Sequence, residues 1–133
     1  MKKHRVTIAL LATLTLFSLA TAVSADEFSV KEYGEFHDLL RPLQHEALPA
    51  KDFKRIRENA AELVKRGQAI VQVGVPKGMS DNRVDGFRRQ LEQFKDALNK
   101  FSGHAKSGSD EQLEASFSAV HDSFEMLAGM LSH

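Results

Sequence analysis

One stretch dictates what this chain can become: Val84, Phe87, Leu91, Phe94, Leu98 and Phe101. These six apolar residues recur at alternating steps of three and four, which places them in a single stripe along an α-helix. Such a stripe is stable in water only when other helices cover it, so the chain must supply partners. It supplies three. Leu113, Phe117, Val120, Phe124, Leu127 and Leu131 repeat the pattern downstream. Upstream it recurs at Phe53, Ile56, Ala60, Leu63, Gly67 and Ile70, and again at Tyr33, Phe36, Leu40, Leu43 and Ala47. No segment alternates apolar and polar residues as a strand would, and no internal repeat competes. The expected fold is all-α, an antiparallel up-down-up-down four-helix bundle with helices of about 20 to 24 residues, roughly 30–36 Å each.

Punctuation residues set the expected boundaries. Pro42 sits inside the first stripe, which continues on both sides, so a kink is predicted there and an end near Ala47. Pro49 suits the first turn of the second helix, and Asp52 its positive dipole end. Gly67 lies in the seam of that helix, where a missing side chain admits close approach. Val73–Met79, with two glycines and a proline, reads as a break. Ser80 or Asp81 is expected to cap the third helix. Gly103, Ser107, Gly108 and Ser109 read as the next loop, and Ser109 with Gln112 as a capping box opening the fourth helix.

The first 25 residues stand apart. Lys2, Lys3 and Arg5 precede an apolar run from Val6 to Ala20, followed by the small-residue sites Ala20-Thr-Ala22 and Val23-Ser-Ala25. This is the pattern of a signal peptide, with cleavage after Ala25 preferred; a membrane anchor is the competing reading, but the run is short of the roughly 20 residues a span needs. The division is then 1–25 signal peptide and 26–133 bundle domain, a periplasmic protein of one small domain. Without the leader the chain carries 15 basic and 18 acidic residues, a net charge of −3. It has no basic tract for phosphates, so nucleic acid is not an expected partner. There is no cysteine, which excludes disulfides, thiolate metal sites and thioether-linked haem.

Helical phase selects the candidate site residues. His37 lies about 85° from the centre of its stripe, and His121 about 80° from its own, in the same sense. Flanks of the same sense face each other across antiparallel neighbours, and the two histidines are expected at nearly the same height between the first and fourth helices. They are therefore candidate ligands for a transition metal ion (Zn²⁺, Cu²⁺ or Ni²⁺). The alternative is that both are boundary histidines bonded to carboxylates or carbonyls. His45, Glu46 and Asp52 flank the first turn and could form a second nitrogen–oxygen metal site, although the phase of His45 on a straight helix points outward. His104 and His133 read as solvated, as do Lys54-Arg55 and Arg88-Arg89. Met126 and Met130 read as gap-filling or boundary residues rather than ligands.

The segment Phe117-Ser-Ala-Val-His-Asp-Ser-Phe124 resembles the haem-attachment helix of cytochromes c-prime, with Phe117 and Val120 at the two cysteine positions and His121 at the histidine position. The resemblance extends loosely over the bundle domain as an exported four-helix protein of matching size. It implies that His121 corresponds to the proximal haem ligand, while the missing cysteines remove covalent attachment. The chain is also similar to exported proteins carrying His-x-x-Leu-x-Pro-Leu-x-His-Glu-x-Leu-Pro in the first helix.

The leading expectation is a metal-binding bundle that does not catalyse a reaction. Two others stand beside it: electron transfer through a non-covalent b-type haem held by His37 and His121, with Phe36, Phe117 and Phe124 lining the pocket, and a structural or chaperone-like bundle. No Ser-His-Asp, Cys-His or paired-carboxylate arrangement has catalytic spacing, although His37-Asp38 and His121-Asp122 are neighbours. The expected partners are a metal ion and a second copy of the chain in a homodimer, with no membrane association after cleavage.

Overall fold

The computed structural model describes residues 28–131; the proposed signal peptide and His133 lie outside the described residues. Four α-helices make up the fold: α1 (Lys31–Pro42), α2 (Phe53–Val73), α3 (Asp81–Ser107) and α4 (Asp110–Met130). There is no strand among the described residues, and no helix among them is long and apolar enough to cross a membrane.

The kink at Pro42 takes a specific form. Proline lacks the N–H that would bond the carbonyl four residues back, and directly after it the chain widens into a π-helical turn, Leu43–Ala47. The turn closes with five-residue bonds, Leu48 N–H to Leu43 O and Asp52 N–H to Ala47 O, both 2.9 Å. It keeps Leu43 and Ala47 in the core on either side of the break. Pro49 falls in the connecting turn rather than inside α2. Asp52 is the true N-cap, its carboxylate accepting the Arg55 N–H at 3.1 Å. Lys51, just before it, is at φ 55°, a left-handed conformation uncommon for a residue with a side chain.

The remaining ends follow local chemistry. Gly74 and Gly78, at φ 67° and 86°, make the turns between α2 and α3 that other residues resist. Ser80 occupies the N-cap position of α3 in extended conformation. α3 does not stop at Gly103; it runs on to Ser107. The capping box of α4 forms as its sequence implies, Ser109 Oγ accepting from Gln112 N at 3.1 Å and Gln112 Oε1 from Ser109 N at 3.0 Å.

The stripes meet in one core. Tyr33, Phe36, Phe87, Phe94, Phe101, Phe117 and Phe124 are all fully buried, each side chain contributing about 1.5–3 kcal/mol by removal from water. The helix pairs in closest backbone contact are α3 with α4, α2 with α3, and α1 with α2. α1 reaches α4 through rings: Phe36 lies 4.8 Å from Phe124 and 5.4 Å edge-on to Phe94. Further along, Phe101 of α3 packs on Phe117 of α4 at 5.8 Å.

Arginines tie helix ends together. Arg57, near the start of α2, donates to the carbonyls of His104, Ala105 and Gly108 and to the Asp110 carboxylate, all at 2.9–3.1 Å. Arg66 reaches the Glu35 carbonyl of α1 at 2.8 Å. Arg83, in the first turn of α3, donates to the Met130 carbonyl at the end of α4. A helix C-terminus leaves its last carbonyls without partners; Arg57 and Arg83 supply them at the ends of α3 and α4, while Arg66 braces α1 at a carbonyl within the helix.

Candidate functional site

His37 sits on α1 one turn beyond Tyr33, half-buried, with its ring in an aromatic box. It stacks on Phe124 of α4 (ring centroids 6.1 Å, planes 18° apart) and takes the edge-on contact of Phe28 at 5.3 Å. The flank phase thus turns His37 toward α4, and what it meets there is Phe124, three residues beyond His121. His121 is also half-buried, but its nitrogens face carboxylates of its own helix. Nδ1 lies 3.2 Å from Asp122 Oδ1 and Nε2 lies 3.8 Å from Glu125 Oε1. Those carboxylates lie against opposite edges of the ring, so both cannot join one ion together with it.

The corner after α1 divides its donors in a different way. Glu46 is paired with Arg55 at 3.0 Å, and the Asp52 carboxylate serves the N-terminus of α2. His45 is exposed on an open recess that it shares with Arg41, Pro42 and Glu46. A closed zinc site needs four donors; among the described residues no group of three or more His, Cys, Asp or Glu side chains is placed to hold a metal ion.

Haem fits the interior no better. Phe36, Phe117 and Phe124, the expected lining, are fully buried against Phe94, Phe101 and one another. A porphyrin between α1 and α4 would have to displace that packed layer. The residues present do not fit the group.

Three residues carry more than their sequence context suggested. His104 lies within α3 rather than in a loop, with Nδ1 3.1 Å from the Gln112 carbonyl. Arg57 is the hub of the α3–α4 corner, and its position 100° round from Ile56, on the flank of the stripe, was the available signal. Tyr33 is fully buried, and among the described residues its hydroxyl has no hydrogen-bond partner, nor do Gln90 Nε2 and Gln44 Oε1. Burial pushes the Tyr33 phenol well above its ordinary titration range.

No protein-family model matches the chain, and neither the curated proteins nor the solved structures yield a match.

Proposed function

We propose that this chain is an exported, non-enzymatic binding protein: a cytochrome c-prime-like bundle that keeps the architecture, dispenses with the haem and works through its surface. The observation that carries this reading is the filled interior. The rings that a cofactor would have to part, Phe36, Phe94 and Phe124, lie 4.8–6.4 Å from one another, centroid to centroid.

An up-down-up-down course of the helices belongs to the same proposal. It is supported by the pairing of Arg55, in the first turn of α2, with Glu46 of the π turn, and of Arg66, in the second half of α2, with the Glu35 carbonyl in the first half of α1. The reach of Arg57 to the end of α3 and of Arg83 to the end of α4 supports it as well. Export to the periplasm rests on the charged and apolar pattern of residues 1–25.

The test is to express the full chain, recover it from the periplasm, and record its absorbance and native mass before and after adding haemin. The expected result is the mass of residues 26–133 alone and no sharp Soret band. A stoichiometric haem or a Soret band on titration would overturn the reading.

A second reading concerns metal. Asp122 on Nδ1 orients the His121 ring as carboxylates orient metal-ligating histidines, and Nε2 and the Glu125 carboxylate lie one turn apart on the same face. Such a two-donor clip would take Zn²⁺, Cu²⁺ or Ni²⁺ loosely, with water completing the shell. Metal retention that His121→Ala abolishes and His37→Ala leaves intact is the expected result in native mass spectrometry. Retention that needs His37 would instead restore the paired-histidine site.

A further inference from the structure

A groove runs along the outside of the α2–α3 pair. Two recesses, of about 280 and 340 Å³, follow one another along it, with Gln68 lining both. It extends from Arg57 to Gln72 on α2, some 15 residues or about 22 Å of helix. Its accessible apolar lining is small, Ala61, Val71 and Ala105, over a buried floor of Ala60, Val64 and Leu98.

Its charge is one-sided. Arg57, Lys65, Lys95 and Lys106 line the two recesses, and no carboxylate does. This is a departure for a domain whose overall charge is slightly negative. Arg57 is held by the α3–α4 corner. Lys65 and Lys106 make no ion pair among the described residues, and Lys95 has only a 3.9 Å approach to Glu92. The acidic residues of α2, Glu58 and Glu62, are engaged by Lys54 and Arg66 of their own helix. The available cations are spread along the groove, Lys106 at the Arg57 end, Lys65 midway and Lys95 beside Gln72.

We propose that this groove docks an amphipathic helix of a partner protein, with its apolar face on the lining of Ala61, Val71 and Ala105 and carboxylates along both flanks against Lys65, Lys95 and Lys106. Small lining residues let a third helix come to the 8–10 Å typical of packed helices. Both recesses are partly open to solvent, which suits an occupant that needs cover on one face only. An acyl chain lying there would leave much of itself in water, forfeiting about 0.8 kcal/mol per uncovered methylene. The inference rests on the reading of the bundle as a surface-binding protein.

The probe is a fluorescein-labelled helical peptide of about four turns, with a Leu/Ala face and Glu on both flanks. Its counterpart carries Lys at every Glu position. Anisotropy titrations use the signal-free chain, the Lys65→Glu/Lys106→Glu double variant, and Lys77→Glu as a control outside the groove. The Glu peptide should bind saturably and gain helicity on binding. The double variant should weaken it at least roughly tenfold and favour the Lys peptide, while Lys77→Glu changes nothing. No saturable binding up to about 1 mM, equal binding of the two peptides, or equal loss in the double variant and the control would overturn the proposal. So would displacement of the peptide by oleate at its own binding concentration, or loss of a homodimer in the double variant by sedimentation, which would assign the groove to a lipid or to a second copy. A haem Soret band would refute the surface-binding reading without altering these titrations, so the two failures are distinguishable.

Discussion

Gly67 of α2 packs against Leu98 of α3, and their coupling can be measured. A Cβ on Gly67 would stand 2.5 and 2.7 Å from the Leu98 methyl carbons and 3.2 Å from its Cγ. Real carbon pairs do not come so close, so the Leu98 side chain, only 1 % exposed, must shift to make room. Two effects oppose each other in Gly67→Ala. The helix gains about 0.5–1 kcal/mol because alanine has less backbone freedom to lose. The core loses about 1–3 kcal/mol to overpacking. The balance is destabilisation of about 1 kcal/mol.

Leu98→Ala alone should cost about 2–5 kcal/mol through lost burial and the cavity it leaves. In that background the clash is gone, so Gly67→Ala should become stabilising by about 0.5–1 kcal/mol. The sign reversal is the signature, and the coupling energy of the cycle should be about 1–3 kcal/mol. Urea unfolding of the four proteins followed by far-UV circular dichroism reads it directly. If Gly67→Ala stabilises both backgrounds equally, the seam is loose and the close-packing argument fails.

Two other perturbations probe the polar framework. Arg57→Met keeps the aliphatic stem but removes the donors to three carbonyls and Asp110. It should cost about 2 kcal/mol and release amide protection at the end of α3 first, and Arg57→Lys should restore little because one ammonium cannot reproduce the fork. Tyr33 is the only tyrosine, so its ionisation can be followed by absorbance without interference. Its phenol is held neutral by burial; stability is therefore intact below the unfolded value near 10 and falls as pH rises above it, because the unfolded chain releases a proton that the folded one keeps. Tyr33→Phe should flatten that alkaline loss, and at pH 7 it should stabilise by about 1 kcal/mol by deleting an unpartnered hydroxyl. A tyrosinate signal appearing near pH 10 without unfolding would contradict this.

What the sequence made legible was whatever is decided within a few turns. The stripes name the buried aromatics because helical period alone fixes which side chains share a face. Ser109 and Gln112 close their box within one turn, so spacing suffices. Pro42 announces a break, but its form as a π turn depends on keeping Leu43 and Ala47 in the core together, which is a tertiary demand. Gly103 looks like a stop because its local cost is visible, whereas the donor that supports the far end of α3 is Arg57, 47 to 51 residues away. The site suffered from the same limit. Phase correctly turned His37 toward α4, but phase cannot say that Phe28 and Phe124 would take up its ring, or that His121 would settle against Asp122 and Glu125.

The cations of this domain divide by chemistry. Arg57, Arg66 and Arg83 spend their planar forks on backbone carbonyls of neighbouring helices. One guanidinium can satisfy several acceptors at once, and it does so in a chain without cysteine. Lysine, a point charge on a flexible stem, is poor at that task, and Lys65 and Lys106 are left on the rim of the α2–α3 groove. The clamps are half-buried and directional, so salt screens them weakly. The groove lysines face water, where charges more than about 8–10 Å apart are largely screened at 0.1–0.15 M salt. Raising salt should therefore weaken recognition of the proposed acidic helix before it loosens the bundle.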